Sequence, residues 1–580
     1  MLDVIGVSID APLLAAWRAR VERVGAQLGW QRPQTVVRRH SAGASLAITA
    51  PCDQLFLATE INEWALCAAL LERDPARWSR LEELLVAAAL NAAENTANTA
   101  ARLEPVIEES AALERFQRAA ALEANPKLRA LLEVADTRGL PHVLDDSELT
   151  LGGGAGGRTF PLTALPPVEG IPWQELHGIP TAMVTGSNGK TTTVRLLAAC
   201  ARAHGWRAAY NCTDGVFLDG EALALGDYSG PAGARMVLRD ARTQAALLET
   251  ARGGILRRGI AVSHADAAII TNVSSDHFGE YGIDDLEGLA DVKFAVASVV
   301  APRGSLILNA DDARLRARAD GFLGRFGDSA RLGWFALDAD QESLREYRSR
   351  GSPTCGVRHG RLYLSRGGTD HDLGPVCGMP LSMDGVATYN VANIAGAALV
   401  AFQLGIPATT ISAVLGRFGA RLEDNPGRMM RFDVRGVTVL IDYAHNAEGL
   451  RGFLQVAEHL RHGAGRLGLL LGHAGNRTNE DIEELARVAR DFRPDLVVVK
   501  ENESQLRGRA AGEVPRIIRA ELLRLGFPEA ASPMRNSEVE AARCALDWSR
   551  PGDVLALPVH STGARAAIVA MLQSQPAGAR

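Results

Sequence analysis

The clearest chemical signal in the sequence is the segment TGSNGKTTT at residues 185–193. Glycines let backbone N–H groups turn towards phosphate oxygens, and the first turn of a helix adds partial positive charge. Lys190 would reach the outer phosphates, and Thr191 would offer its hydroxyl to Mg²⁺. The segment follows a predicted strand and opens a predicted helix, so it predicts a nucleotide site. The residues of this predicted site are Gly186, Ser187, Asn188, Gly189, Lys190, Thr191 and Thr192.

The loop departs from the general GxxxxGK[ST] pattern, because Val184 stands where that pattern has its first glycine. Gly186 is closer to the lysine and takes up the turn instead. The alternative interpretation is a glycine-rich strand-to-helix turn with an incidental lysine. The order of strand, loop and helix favours phosphate binding over this alternative.

Three later residues have types suited to a metal and phosphate centre. Glu249 ends the apolar segment AALLE, His277 follows AAIITNV, and Lys293 lies on a predicted helix. Ligands of parallel sheets bind at the carboxyl ends of the strands, where Glu249 and His277 are expected. Mg²⁺ prefers oxygen ligands, so His277 would need a second, partly hydrated metal site. Taken singly, these residues are equally explained as a surface ion pair, a helix cap and a solvated lysine.

The elements that would position these residues alternate between short β-branched runs and amphipathic helices. TAMVT, AALLET, AAIITNV and SLILNA are the predicted strands of one block, and RFDVRGVTVLIDYA, RLGLLLG, DLVVVK and DVLALPV are those of a second. Such alternation predicts an α/β fold with parallel sheets. We expect a central domain at 176–425, with a more polar, turn-rich segment at 331–380 as a β insertion, and a C-terminal α/β domain at 426–580.

The amino-terminal part of the chain has a different pattern. Helical periodicity at 11–28 and 64–103 surrounds a short apolar piece at 45–50, which predicts a small α+β domain over 1–110. Residues 111–175 contain a charged helix and then LGGGAGGRTFPLTALPPVEG, whose glycine and proline density predicts either a flexible connection or the remnant of a reduced domain.

Composition excludes several classes of function. The 580 residues carry a formal net charge of −6, with 47% hydrophobic and 22% charged residues. The chain therefore lacks the excess of basic residues that would indicate a nucleic-acid partner. The seven cysteines are scattered and form no CxxC pair, which indicates neither a disulfide framework nor a zinc site. Neither a secretory leader nor a continuous apolar run is evident, so we expect a cytoplasmic protein without a membrane span.

Six separated motifs occur in order along the chain: TGSNGKTTT, LETARGGILRRGI, TNVSSDHFGEYGI, VK at 292–293, LNADD and DYAHNAEGL. Together they resemble the Mur ligase superfamily and, within it, the C-terminal ligase half of the cyanophycin synthetase family. The LETARGGILR stretch is not shared by ordinary muropeptide ligases, and APCDQLFLATEINEWA resembles the amino-terminal domain of cyanophycin synthetases. The resemblance implies a multidomain α/β protein with a central P-loop ATPase domain and a Rossmann-like C-terminal domain. It also implies that 111–175 is the remnant of a largely missing ATP-grasp domain.

The resemblance assigns roles residue by residue. Lys190 and Thr191 would bind ATP and Mg²⁺, with Glu249 and His277 as further metal ligands. Lys293 matches a lysine that is often carbamylated in the family. The resemblance places three further residues at the nucleotide: Asn309 would read the adenine, Arg428 would contact the nucleotide and Asp442 would fix the ribose. Candidate substrate contacts are His445, Asn446, Asn476 and Arg477; for the last two a solvated loop is the alternative.

The activity implied is formation of an amide bond by an ATP-dependent ligase. The γ-phosphoryl group would pass to a carboxylate, and an amine would then attack the acyl phosphate. In the related family this centre adds arginine to an aspartyl side chain, so we expect an amino acid and an aspartyl or Asp/Arg-type peptide as substrates. The resemblance further implies a homo-oligomer.

Two other functions remain open at this stage. One is a muropeptide-type ligase of cell-wall synthesis, which activity on a UDP-linked peptide would reveal. The other is a non-catalytic module that binds polymer or partners through residues 1–110 and keeps ATP only as a scaffold. The presence of Lys190, Glu249, His277 and Lys293 argues against the second.

Overall fold

A computed structural model describes residues 1–40, 43–78, 108–275, 278 and 282–575. The chain divides into two compact units. The first comprises Met1–Gly139, Phe160–Trp173 and Phe278–Asp284, and the second comprises Leu140–Thr159, Gln174–His277 and Asp285–Arg580. The boundaries expected at 110, 175 and 425 stay predictions.

The first unit is an α+β structure, as its sequence pattern predicts. Its three strands form an antiparallel sheet in the order β1-β3-β2. Asp10 caps the first helix by accepting a hydrogen bond from the backbone of Leu13, and Pro12 lies in the first turn. The predicted helix at 11–28 is confirmed, and the short apolar piece that begins at residue 45 lies largely in β3. Residues 79–103 of the second predicted helical stretch lie outside the described residues. The elements are β1 (Leu2–Ile5), α1 (Ala11–Gln27), β2 (Thr35–His40), β3 (Gly43–Ile48), α2 (Leu55–Arg73), α3 (Pro75–Trp78), α4 (Glu109–Glu123) and α5 (Pro126–Thr137).

The second unit begins with a short hairpin of β4 (His142–Leu144) and β5 (Glu148–Leu151). The next strand, β6 (Arg158–Pro161), has its first two residues in the second unit and its last two in the first. The glycines between β5 and β6 are packed, which corrects the prediction of a flexible connection. A Cβ atom on Gly154 would lie 2.3 Å from the carbonyl oxygen of Thr243, and one on Gly156 would lie 2.5 Å from that of His177. Glycine therefore serves here for close backbone approach.

The central sheet of the second unit has eleven strands in the order β10-β9-β8-β11-β7-β12-β13-β14-β15-β16-β17. The seven strands from β8 to β15 in this order run parallel, as predicted, and antiparallel strands flank them. The strands are β7 (Thr181–Thr185), β8 (Ala208–Cys212), β9 (Gly215–Leu218), β10 (Glu221–Leu225), β11 (Ala245–Glu249), β12 (Ala265–Ile270), β13 (Val300–Asn309), β14 (Leu332–Asp338), β15 (Thr354–Arg358), β16 (Arg361–Arg366) and β17 (Thr369–Pro375).

The segment 331–380 is not a separate β insertion, because β14 and β15 continue the parallel sheet and β16 and β17 extend its edge. Buried side chains such as Leu197, Ile269 and Ile394 join the helices to the sheet in one apolar core. The helices of this part are α6 (Lys190–Ala203), α7 (Pro231–Arg239), α8 (Arg252–Arg258), α9 (Leu286–Phe294), α10 (Ala313–Phe326), α11 (Glu342–Ser349), α12 (Thr388–Gln403) and α13 (Ala408–Leu415).

The strand register sets the position of the site. Glu249 at the end of β11 pairs with Val184 of β7, and Ile270 at the end of β12 pairs with Thr185. The carboxyl ends of β7, β11 and β12 therefore meet at one edge of the sheet. The segments that follow these strands carry the polar residues singled out in the sequence.

The carboxyl-terminal part forms a second α/β sheet of six strands in the order β18-β19-β23-β20-β21-β22, parallel except for β18. Helices cover both faces, and their buried residues form two separate cores, which confirms the Rossmann-like prediction. The elements are β18 (Met430–Val434), β19 (Val437–Asp442), α14 (Ala447–Leu460), β20 (Leu467–Leu471), α15 (Asn479–Asp491), β21 (Leu496–Lys500), α16 (Glu513–Arg524), β22 (Met534–Arg535), α17 (Glu538–Trp548), β23 (Val554–Pro558) and α18 (Thr562–Gln573).

In the parts of the chain that the structure describes, no helix combines the length and the apolar character needed to cross a membrane.

Candidate nucleotide and metal site

The predicted phosphate loop lies between the end of β7 and the start of α6. Gly186 has a φ of 147° and Gly189 a φ of 86°, a region of backbone conformation that favours glycine. A Cβ atom on Gly186 would lie 1.9 Å from Oγ1 of Thr271, and one on Gly189 would lie 2.1 Å from Oδ1 of Asn393. Both glycines are therefore required by the local packing, and Val184 lies within β7, before the turn.

Hydrogen bonds from the segment after β12 hold the loop in place. The backbone N–H of Asn188 donates to Oδ1 of Asn272 over 2.9 Å, and the hydroxyl of Thr271 donates to the carbonyl of Asn188 over 2.6 Å. The hydroxyl of Ser187 donates to the carbonyl of Ser274 over 2.9 Å and accepts from its N–H over 3.0 Å. These hydrogen bonds fix the shape of the loop.

Lys190 places its ammonium group over this loop. Its Nζ donates to the carbonyl oxygens of Gly186 and Ser187, each over 3.0 Å. The ammonium and the first N–H groups of α6 form a compact positive region suited to a polyanion such as a triphosphate.

Thr191 and Glu249 meet directly, as expected for residues at one sheet edge. The hydroxyl of Thr191 donates to Oε2 of Glu249 over 2.8 Å. Thr213, in the turn after β8, donates to Oε1 of the same carboxylate over 3.3 Å, and Asn211 donates through Nδ2 to the backbone carbonyl of Glu249 over 2.9 Å. Sequence reasoning missed Asn211 and Thr213, although polar residues at the end of the neighbouring strand were a usable signal.

The environment of Glu249 is electrostatically unusual. The side chain is buried, and this burial raises the pKa of its carboxyl group, while Lys190, Thr191 and Arg428 oppose the rise. A buried carboxylate surrounded by cationic groups is a frequent feature of functional sites.

The donor set at Thr191 and Glu249 fits Mg²⁺. A hydroxyl and a carboxylate are hard oxygen donors, and Mg²⁺ commonly takes one or two protein oxygens while keeping water and phosphate ligands. Among the described residues, no group of three or more His, Cys, Asp or Glu side chains could hold a metal ion. His277, the further predicted ligand, lies outside the described residues.

Lys293 is buried on α9, with 3% of its surface exposed. This burial distinguishes it from the solvated lysine that the sequence left as an alternative. Its carbamylation and its part in the metal site stay predictions.

Two predicted residues of the C-terminal α/β part reach the loop. Arg428 approaches Thr191, with 3.5 Å between Nη2 and Oγ1, and its guanidinium lies 4.3 Å from the ring centre of Tyr443. Asn446 donates through Nδ2 to Oδ1 of Asn188 over 3.0 Å. The structure therefore brings together residues from two separate sheets around one loop.

Asp442 and Asn309 hold backbone segments near the site. The carboxylate of Asp442 accepts from the N–H groups of Met429 and Ala444 over 2.7 and 2.8 Å, and burial raises the pKa of this carboxyl group. Asn309 donates to the carbonyl of Thr271 over 2.9 Å. Their expected contacts with ribose and adenine stay predictions.

The remaining substrate candidates lie in loops of the C-terminal sheet. The ring of His445 lies 5.1 Å from that of Tyr443. Arg477 is mostly buried, in the loop that also carries Asn476, and Arg509 ties this loop down by donating to the carbonyl of Arg477 over 2.7 Å. This burial argues against a solvated loop, and substrate contact stays a prediction.

A parallel sheet with a glycine-rich loop between strand and helix, a carboxylate beside that loop and a second α/β domain that reaches it is typical of phosphate-binding α/β proteins of two linked domains. Residues 184–352 match the Mur ligase middle domain, and residues 427–557 match the Mur ligase glutamate ligase domain. The chain belongs to the Mur ligase family.

Sequence relatives include cyanophycin synthetases. That of Synechocystis sp. is 34% identical over 369 residues, which cover 64% of this chain and 41% of the relative. That of Trichormus variabilis is 34% identical over 389 residues, covering 67% of this chain and 42% of the relative. The chain thus matches about two fifths of the length of these relatives. A pseudomurein peptide ligase type C from Methanothermus fervidus aligns with a TM-score of 0.46 and 17% identity, over 68% of this chain and 79% of that one.

Proposed function

We propose that this protein is an ATP-dependent ligase that activates a carboxylate as an acyl phosphate and joins it to an amine. The convergence of Lys190, Thr191, Glu249 and Arg428 on one loop carries the proposal. Family membership supports ATP as the phosphate donor.

Different residues have different roles in phosphoryl transfer. Lys190 and the N–H groups at the start of α6 bind and orient the triphosphate of ATP. Thr191 and Glu249 would hold Mg²⁺, which when bound neutralises phosphate charge and orients the phosphate oxygens. Arg428 supplies a further positive charge beside Thr191, where negative charge develops during transfer.

The second step forms the amide bond. The substrate carboxylate takes the γ-phosphoryl group as ADP leaves, and the amine then attacks the acyl carbon and expels phosphate. The C-terminal domain contributes Arg428 and Asn446 and so covers the loop, which excludes water from the reactive acyl phosphate.

The relatives suggest the substrate class. We infer that the amine is an amino acid such as arginine and that the carboxylate belongs to an aspartyl group or a short Asp/Arg-type peptide. The proposal includes His277 as a metal ligand, carbamylation of Lys293 and assembly into a homo-oligomer in the cytoplasm.

Incubation with ATP, Mg²⁺ and pairs of aspartyl acceptors and amino acids tests this function. We expect a condensation product by mass spectrometry, with one ADP per bond, from the wild-type protein and not from Lys190→Met. Absence of amine-dependent ADP release on every pair would overturn the proposal. If the protein instead acted on a UDP-linked muropeptide, its substrates would be cell-wall precursors.

A further inference from the structure

Asp214 joins two arginines that belong to different domains of the ligase body. It lies in the turn between β8 and β9, and its carboxylate accepts from Nη2 of Arg195 over 2.6 Å and from Nη2 of Arg565 over 2.7 Å. Arg195 is on α6, one turn after the phosphate loop, whereas Arg565 is on α18 of the C-terminal domain. The side chain of Asp214 is 11% exposed, that of Arg195 4% and that of Arg565 9%, so these ion pairs are shielded from solvent.

Arg195 also forms hydrogen bonds with the segment that precedes Arg428. Its Nη1 donates to Oδ1 of Asn425 over 3.2 Å and to the carbonyl of Pro426 over 2.9 Å. Asn425 in turn donates to the hydroxyl of Thr192, in the first turn of α6, over 3.3 Å. The connection between the two domains is therefore tied to the helix that starts at the phosphate loop.

Arg565 holds the same segment from the other side. Gly427 has a φ of 71°, and a Cβ atom there would lie 2.2 Å from Nη1 of Arg565. The guanidinium thus lies directly against the backbone of the residue that precedes Arg428. The segment 425–427 is enclosed between one arginine of each domain.

The charges make the carboxylate essential to this arrangement. Burial alone would raise the pKa of Asp214, but Arg195, Arg428 and Arg565 outweigh it, so the pKa lies below its usual value. Without the carboxylate, guanidinium groups would face each other in a place with little solvent, where like charges repel strongly.

We propose that Asp214 and Arg565 are positioning residues that keep Arg428 at Thr191 by clamping the segment 425–427 between the two ligase domains. The inference rests on the proposed function, because it assigns Arg428 to the phosphate chain of ATP. Asp214 and Arg565 act through Arg428.

A double-mutant cycle tests this coupling. Calorimetry would measure the dissociation constant of the non-hydrolysable analogue AMP-PNP with Mg²⁺ for the wild type, Arg428→Ala, Arg565→Gln and the double variant. We expect each single variant to bind about tenfold more weakly, the range for loss of a charge-assisted hydrogen bond. The double variant should bind no more weakly than Arg428→Ala, because Arg565 has no route to the phosphates once Arg428 is gone.

Arg466→Gln is the matched control, since it breaks an arginine pair with Asp553 in the same domain, away from the segment 425–427. Its affinity should equal that of the wild type. Circular dichroism checks folding, and if Arg565→Gln does not fold, Arg565→Lys replaces it in the cycle under the same criterion.

Unchanged binding by the folded Arg565 variant, or losses that add in the double variant, would overturn the inference while leaving the proposed function intact. Failure of the wild type itself to bind the analogue would overturn the proposed function and this inference with it.

Discussion

Asn446 donates a hydrogen bond of 3.0 Å to Asn188, so a residue of the C-terminal domain touches the phosphate loop directly. The oxygen of the same side-chain amide caps α14, because Oδ1 of Asn446 accepts a hydrogen bond from the N–H of Gly449 over 2.8 Å. One side chain thus starts a helix and fixes the loop that precedes Lys190.

The two tasks of Asn446 can be separated by substitution. Asn446→Ser keeps a capping oxygen but loses the donor to Asn188, so we expect the KM for ATP to rise about three- to tenfold with little change in stability. Asn446→Ala should show the same rise and also lose about 1 kcal/mol of stability through the missing cap. Steady-state kinetics and thermal melting measure both effects. Asn125→Ser, at another helix cap, is the control, and an unaltered KM for Asn446→Ser would contradict the assignment.

Lys190→Met should lower kcat by about a hundredfold or more, because it removes a positive charge aimed at the transferred phosphate. The melting temperature should hardly move, since within the described part of the chain Nζ donates to two loop carbonyls. Lys127→Met is the control, because that lysine also donates to a backbone carbonyl but in the first unit. A Lys190→Met protein with normal turnover would contradict the role of the loop.

Gly189→Ala should abolish nucleotide binding, because its Cβ atom would collide with Oδ1 of Asn393 at 2.1 Å. Gly205→Ala provides a control at a similar backbone angle: φ is 99° and the added Cβ meets nothing within 4 Å. Both variants bear the backbone cost of about 1–2 kcal/mol, so only the collision distinguishes them. Equal nucleotide affinity in the two variants would refute the packing argument.

Glu249→Gln should stabilise the metal-free protein while removing activity. The folded pKa of Glu249 is raised by burial, so its contribution to stability is fully present below the unfolded value of 4.5 and is lost as the pH rises through the folded pKa. Above that range the variant should therefore melt at a higher temperature than the wild type.

Well below pH 4.5, Glu249 is protonated in both the folded and the unfolded wild-type protein. The difference in melting temperature between the wild type and Glu249→Gln should then vanish. Melting curves across this pH range, recorded in chelator, measure the effect. A lower melting temperature for Glu249→Gln at neutral pH would show that the carboxylate is stabilising instead.

The sequence was informative where function depends on residues at strand ends. The positions of Lys190, Thr191 and Glu249 behind apolar runs were enough to predict that they meet, since carboxyl ends of parallel strands share an edge. Arg428 and Asn446 were found only through resemblance to a family, because no local pattern shows which distant loop reaches the site.

Other features could not be predicted because they depend on packing between distant segments. Asp214 and Arg565 are 351 positions apart, and neither lies in a motif. The glycines near Gly154 were interpreted as a flexible connection, since glycine suits both mobile chains and close backbone contacts. The close approach of Thr243 to Gly154 and of His177 to Gly156 distinguishes the two.

The transfer of oxygen from the substrate carboxylate to inorganic phosphate tests most directly whether an acyl phosphate forms. An acceptor found in the substrate screen would be labelled with ¹⁸O in its carboxylate and incubated with the protein, ATP, Mg²⁺ and the amine. We predict that the inorganic phosphate released with each amide bond carries one ¹⁸O atom, because the carboxylate oxygen leaves with the phosphoryl group. Unlabelled phosphate would contradict activation of the carboxylate at this site.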